Sequence, residues 1–318
     1  MAALIARFSA LPPAVRGPLW MMMGAVGFTA GAGFIRHVSA EIHVFEIAFF
    51  RCVFGLLIML PWVLVTGAAS LRTRRLDLYA LRAVFGLTAM LCWFTALANL
   101  PLAAATSLSF TTPIFTALLA TAILGEVMRL RRWTAIALGF AGMLVIVRPG
   151  ADSFDPLSLI ALVSSLCFAS AAVVVKILAR TEHPNAIMTY MTIFLVPLTA
   201  LVVTLAPSIG LGPGWQAVTG AQLLWLAGVG AGTTLGHLGL TRAYALVDAT
   251  YVQPFLYVQL PMVAAMAYFA FGQVPTVHVF LGAAIIAGSC LYLAHREAAA
   301  RRAARGPQTN IDRAEPHS

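Results

Sequence analysis

An uncharged stretch from Leu100 to Leu124 constrains the fold of this chain more than any other feature. It is longer than the roughly 20 residues that an α-helix needs to cross the hydrocarbon core of a bilayer. Arg129, Arg131 and Arg132 follow it closely, and their charge keeps them out of the hydrocarbon. The stretch also contains several Ser and Thr residues and Pro113, which lacks a backbone donor. It therefore predicts a membrane-spanning helix that faces other helices or water.

The composition indicates a polytopic membrane protein. Hydrophobic residues make up 61% of the 318 residues, charged residues only 10%, and the mean hydropathy is +0.90. A soluble core does not accommodate so much apolar surface. The net charge of +9 could suggest nucleic-acid binding, but basic residues in such a chain act first as topology signals. No nucleic-acid partner is expected.

The apolar runs predict ten spans joined by short connections. Their approximate limits are 18–35, 44–66, 77–98, 101–124, 133–148, 156–178, 185–206, 221–246, 249–271 and 276–294. The first run resembles a signal peptide, but the same pattern recurs later in the chain, so a span is preferred. Residues 1–17 form a basic lead, and residues 296–318 form a basic, polar tail that is expected to be solvated.

The distribution of Lys and Arg predicts the orientation. With the amino terminus in the cytoplasm, 17 of the 20 Lys and Arg residues, including Arg82, lie on the cytoplasmic side. Arg36 and Arg148 lie outside, and Arg51 lies within a span. This asymmetry follows the positive-inside rule. Both termini are therefore expected in the cytoplasm, and the protein is expected in a bacterial-type inner membrane.

Two similar halves are visible within the chain. A shift of 140 residues aligns His43 with His183, and a shift of 148 aligns Pro113 with Pro261. Each half has five spans, an odd number, so the second half is inverted relative to the first. The predicted fold is an all-α membrane protein with ten transmembrane helices in two inverted five-helix repeats. The repeats cover residues 18–148 and 149–295.

Both halves resemble a known family. The segment ALANLPLAAATSLSFTTPIFTALLATAILGE, followed by LRRWTAIALGFAGMLVIVRPG, is similar to the first repeat of the drug/metabolite transporter superfamily, EamA-type branch. The segment ALVDATYVQPFLYVQLPMVAAMAYFAFGQ resembles the second repeat. Gln273 departs from the pattern, because the family usually repeats the acid of Gly125-Glu126 there. The resemblance implies a ten-helix carrier of small organic solutes with a central cavity between the halves, and export more often than uptake.

Polar side chains within the second half are candidates for substrate binding, because lipid penalises each of them. His237 lies in a glycine-rich span whose glycines allow a neighbouring helix to approach closely. Gln253 and Tyr257 are four residues apart, which places them on one face of a continuous α-helix. The alternatives are a histidine bonded to a neighbouring carbonyl, and hydrogen bonds that only join helices.

Five further candidates lie in the first half. Ser109 and Thr112 follow helical spacing, although hydroxyls often bond the backbone of their own helix. Arg51 is a candidate anion contact and Glu46 a second charged contact, and their spacing does not favour pairing along the helix. Trp93 could stack on an aromatic substrate or serve packing alone. Because only Arg51 and Glu46 supply fixed charge, a neutral or zwitterionic solute is expected.

These features predict a secondary transporter that works by alternating access. The alternatives are an uptake permease for a vitamin or nucleotide-like metabolite, a channel, a receptor and an intramembrane enzyme. No catalytic motif or phosphate-binding loop is present in the sequence. The four cysteines lie within spans without metal-ligand spacing, so neither a metal nor a cofactor is expected. The expected partners are a small organic solute, lipid, and a coupling proton or counter-solute. A homodimer remains open.

Overall fold

The computed structural model describes residues 10–99, 108–109, 111–147, 157–271 and 276–304, and all regular structure among them is helical. Seven helices in this part of the chain are long and apolar enough to cross a membrane. The helices are α1 (Pro13–Val38), α2 (Val44–Thr66), α3 (Leu76–Asn99), α4 (Thr112–Leu124), α5 (Leu130–Val147), α6 (Leu157–Leu178), α7 (Pro184–Leu205), α8 (Gly220–Leu246), α9 (Ala249–Val252), α10 (Gln259–Phe271) and α11 (Val277–Ala304). The protein is an all-α, multi-pass membrane protein.

The predicted ninth span is not a continuous α-helix. A 3₁₀ segment, Gln253–Val258, separates α9 from α10. Pro254 and Pro261 lack the N–H that an α-helix uses, which favours the break. In a 3₁₀ helix residues four apart are about 120° apart around the axis. The prediction that Gln253 and Tyr257 share one helical face is therefore wrong.

The last helix extends beyond the last span. The predicted span 276–294 agrees with the apolar stretch Val277–Arg296, and α11 continues past it to Ala304. The added turns are rich in Ala, Glu and Arg, all of which have high helix propensity. The basic tail thus begins as a polar extension of the last helix.

The packing of helices repeats between the two halves. α1 of the first half packs against α8, and α6, the first helix of the second half, packs against α3. α2 packs against α7, and α5 packs against α11. If a two-fold rotation exchanges the halves, the pair α1–α8 becomes the pair α6–α3. The pairs α2–α7 and α5–α11 are each unchanged. This is the arrangement expected of two repeats whose helices meet at a shared central axis.

Local features confirm the repeat alignment. His43 and His183 occupy equivalent positions before α2 and α7, and each ring accepts a hydrogen bond from a backbone N–H of the helix that follows. Pro113 and Pro261 lie in the first turns of α4 and α10, each 13 residues long. A proline is tolerated there because the N–H of the first turn has no intrahelical partner. Pro113 therefore does not interrupt α4.

Glycines bring α1 and α8 into backbone contact. A Cβ at Gly27 would lie 2.5 Å from the Gly236 nitrogen, and one at Gly232 would lie 2.7 Å from the Gly31 nitrogen. A Cβ at Gly239 would lie 2.5 Å from the carbonyl oxygen of Trp20. The predicted role of the glycine-rich span is thus confirmed. This contact joins the two halves and fixes the helix that carries His237.

Candidate functional site

A narrow cavity lies between α3 of the first half and α6, α7 and α8 of the second. Its lining includes polar, aromatic and thioether side chains: Arg82, Phe168, Met188, Met191, His237 and Thr241. About 10 Å³ of it is open to the centre of a water-sized sphere, which is about the space that one water requires. A metabolite does not fit without movement of the surrounding helices.

Arg82 is the residue of this site that sequence reasoning missed. It lies in the second turn of α3 and is 6% exposed. Its Nη2 donates to the Met191 Sδ at 3.1 Å, and its Nε has no hydrogen-bond partner. The interpretation of Arg82 as a cytoplasmic topology residue is therefore wrong. Its position inside the predicted span 77–98 was the sequence feature that could have identified it as a buried residue.

Arg51 and His237 meet across the two halves. Arg51 Nη1 donates to the Met90 Sδ at 3.1 Å, and its Nη2 lies 3.4 Å from the His237 Nε2. A guanidinium has only donors, so Nε2 is assigned as the acceptor and the ring proton as lying on Nδ1. The edge of the imidazole also meets the ring of Phe28 at a centroid distance of 5.0 Å. The structure thus brings together two predicted site residues from different repeats.

Gln253 and Tyr257 lie elsewhere in the packed interior. Gln253 is 1% exposed; its Nε2 donates to the Tyr244 hydroxyl at 2.8 Å, and its Oε1 has no partner. The Tyr257 ring covers Gly139 of α5, where a Cβ would lie 2.6 Å from the ring. Neither residue is among the described residues that line the cavity beside His237. Tyr257 thus contacts the first half, whereas Gln253 bonds to Tyr244 within its own half.

The candidates on and near α4 are satisfied locally. Thr112 Oγ1 donates to the carbonyl oxygen of Ser109 at 2.7 Å, the local bonding that was the alternative interpretation. Trp93 of α3 packs with Leu108 against a small cluster formed by Ala96 and Ala161. None of the three candidates, Ser109, Thr112 and Trp93, is among the described residues that line the cavity.

Glu46 lies in the first turn of α2 and is 1% exposed. Its Oε1 accepts a long hydrogen bond from the Gln216 nitrogen at 3.4 Å, and its Oε2 has no partner. Arg51 is bonded instead to Met90 and His237. The spacing of Glu46 and Arg51 predicted that these two charges would not pair along the helix. Glu46 therefore joins α2 to the segment that precedes α8.

A network of hydrogen bonds joins α4 to α9 at the end of the bundle opposite Glu46. α4 ends at Gly125, whose φ of 66° is left-handed, and Glu126 follows directly. The Glu126 carboxylate accepts from the backbone nitrogens of Ala249 and Thr250, both at 2.9 Å, and from the Thr250 hydroxyl at 2.8 Å. Arg132 adds an ion pair with Asp248 at 3.0 Å. Glu126 thus caps the start of α9, a helix of the other half.

Comparisons with known proteins agree with this architecture. The model of the EamA-like transporter family matches residues 15–148 and 156–294. The chain is 32% identical to a riboflavin transporter of Brucella anthropi, over 81% of this chain and 90% of that protein. It is 30% identical to an S-adenosylmethionine uptake transporter of Rickettsia felis, over 91% of this chain and 95% of that protein.

A more distant relative and a solved structure extend the comparison. The pseudopaline exporter of Pseudomonas aeruginosa is 27% identical, over 87% of this chain and 95% of that protein. A crystal structure with 18% sequence identity has a TM-score of 0.73 and covers 90% of this chain and 98% of its own, which shows the fold alone. With two inverted sets of helices and a family match across both, this chain belongs to the EamA-like transporter family, a membrane transporter family of the drug/metabolite transporter superfamily.

Proposed function

We propose that this protein is a secondary transporter that moves a small organic metabolite across the cytoplasmic membrane by alternating access. One observation carries the proposal: Arg51, Arg82 and His237 are gathered inside the helix bundle, where two helices of the first half meet α8 of the second. Polar and charged groups are costly within a membrane and typically mark a substrate pathway. Inverted repeats place such a pathway between the halves.

Contacts between the halves lie at both ends of the bundle, which supports alternating access. On the proposed cytoplasmic side, Glu126 caps α9, and the Thr73 hydroxyl donates to Glu182 at 2.8 Å. On the proposed outer side, the Gln222 amide donates to Glu41 at 2.6 Å. The small central cavity is consistent with a closed conformation. Release of one set of contacts at a time would expose the cavity to one side at a time.

The relatives point to the class of solute and to the direction. Their names concern riboflavin, S-adenosylmethionine uptake and pseudopaline export. We infer a vitamin-like or nucleoside-like metabolite, and uptake as the direction, because the uptake relatives are the more similar. Export of a metabolite, as the pseudopaline relative performs, is the second candidate. In both cases a proton gradient or a counter-solute would drive the exchange.

His237 and Arg51 are the proposed substrate contacts nearest the cavity. His237 lines the cavity, and Arg51 lies beside it, with 3.4 Å between its Nη2 and the His237 Nε2. The other predicted contacts would reach the solute only after larger movements of the helices; they are Gln253, Tyr257, Ser109, Thr112, Glu46 and Trp93. None of these six is among the described residues that line the cavity.

Reconstituted vesicles test the proposal. Proteoliposomes with the full chain should take up labelled riboflavin or S-adenosylmethionine faster than protein-free vesicles, and loading with unlabelled solute should accelerate the exchange. His237→Ala should reduce the rate about tenfold or more, because it removes a direct contact. His278→Ala, at the start of α11, is the matched control and should transport normally. Vesicles that move neither these solutes nor any member of a wider metabolite panel would refute the proposal.

A further inference from the structure

We propose that Arg51 and Arg82 form an anion-binding site, with His237 beside them, that takes a carboxylate or phosphate group of the transported solute. The inference rests on the proposed function, since it assigns a substrate class to the same central site. It goes beyond the neutral or zwitterionic solute expected from the sequence, because that expectation counted Arg82 among the cytoplasmic residues. The buried Arg82 adds a second arginine near His237, besides Arg51.

Among the described residues, no carboxylate is paired with either guanidinium group. Their recorded acceptors are the thioethers of Met90 and Met191 and the imidazole of His237. Thioethers are weak acceptors, and none of the three groups carries negative charge. Among the described residues the recorded ion pair is that of Arg132 with Asp248, at the end of the bundle.

An uncompensated cation inside a bundle is costly. Arg82 is 6% exposed, and burial of an unpaired charge is strongly unfavourable. Arg51 reaches the same site, because its Nη2 lies 3.4 Å from the His237 Nε2 and His237 lines the cavity together with Arg82. An anion at this site would compensate the charge. Arginine is also the side chain best suited to a planar carboxylate or a phosphate, because its N–H groups form a rigid fork that bonds two oxygens at once. The geometry therefore points to a ligand rather than to packing.

The helix backbone is adapted to the position of Arg82. A Cβ added at Gly86 would collide with the Arg82 Nη1. The guanidinium thus folds over the glycine one turn further along α3 and lies against the helix. Gly86 creates the space in which the charged group rests at the cavity, and a methyl group there would displace the guanidinium without deleting it.

The test compares solutes that differ only in an anionic group. Full-length protein in lipid nanodiscs is titrated with riboflavin and riboflavin 5′-phosphate, and with S-adenosylmethionine and its decarboxylated form, at constant ionic strength. The expected result is about tenfold or tighter binding of the anionic member of at least one pair. Equal binding within both pairs, or binding of none of these solutes, would overturn the proposal. If chloride or inorganic phosphate alone bound as tightly as the anionic solutes, the site would be one for inorganic anions. That result would also overturn the proposal.

Three variants assign the effect to the site. Arg82→Met and Gly86→Ala should each reduce the preference for the anionic member to within about twofold of unity, whereas Arg74→Met, on an exposed loop, should preserve it. Unliganded Arg82→Met should melt at the same or a higher temperature than the wild type, because a buried charge is replaced by an apolar chain. A lower melting temperature together with a retained preference would show that Arg82 is structural.

Transport measured on the same variants separates this inference from the proposed function. If solutes cross the membrane but Arg82→Met changes neither their binding nor their preference, the anion site is refuted and the transporter stands. If the anion preference is present but no solute crosses, the proposed function fails and the anion site stands.

Discussion

Gly239→Ala should strongly destabilise the protein. The added Cβ would lie 2.5 Å from the Trp20 carbonyl oxygen and 2.6 Å from the Gly24 nitrogen. Both are backbone atoms of α1, so no side-chain rotation relieves the collision and the two helices must separate. Overpacking of this kind costs about 1–3 kcal/mol, and more where backbones are in contact. We expect a much lower melting temperature in detergent and loss of the monodisperse peak on size exclusion.

Gly288→Ala provides the matched control. Gly288 lies in α11, and a Cβ there meets nothing within 4 Å. Since Ala favours helix over Gly by about 1 kcal/mol, this variant should be as stable as the wild type or slightly more stable. If both variants melted at the temperature of the wild type, α1 and α8 would not be in backbone contact.

Glu126→Ala should weaken the closure between the halves at the proposed cytoplasmic end. The substitution leaves the Ala249 and Thr250 nitrogens, both at the start of α9, without their acceptor. Each buried donor left unsatisfied costs about 1–3 kcal/mol. We expect a lower melting temperature and faster modification of a cysteine placed at Thr250, because α9 opens more often.

Two further variants show whether the loss of stability comes from the missing cap. Glu126→Gln retains one acceptor oxygen and should give an intermediate loss. Glu41→Ala removes an exposed carboxylate whose recorded partner is Gln222, and should change the melting temperature little. A Glu126→Ala protein as stable as Glu41→Ala would show that the cap does not hold the halves together.

The sequence predicts the span positions well, because lipid imposes a simple rule on helix length and charge. The limits of α2 coincide with the predicted 44–66. Inversion and helix pairing also follow from the repeat, since residues aligned by it, such as His43 and His183, occupy the same structural position. The predicted fourth span, 101–124, includes residues 101–107, which lie outside the described part of the chain.

The site was predicted less well, because it depends on contacts between distant helices. His237 and Arg51 were selected for their polarity, but their proximity arises from the packing of α2 against α8. Arg82 was missed because the positive-inside rule counts arginines near the ends of spans without regard to burial. The 3₁₀ segment at Gln253 could have been anticipated from Pro254, since an α-helix continued through it loses a hydrogen bond. Nothing in the local sequence indicated that Gln253 would bond to Tyr244.

Reversible crosslinking tests alternating access between the halves most directly. Glu41→Cys and Gln222→Cys place two thiols at the proposed outer end, where the native side chains are 2.6 Å apart. The native cysteines are replaced first, and a membrane-impermeant, reducible bifunctional reagent is applied from outside to intact cells. Solute uptake should stop after crosslinking and return after reduction, while either single-cysteine protein treated in the same way should remain active. Full transport by the crosslinked protein would contradict alternating access, and a failure of the reagent to reach both thiols from outside would contradict the proposed orientation.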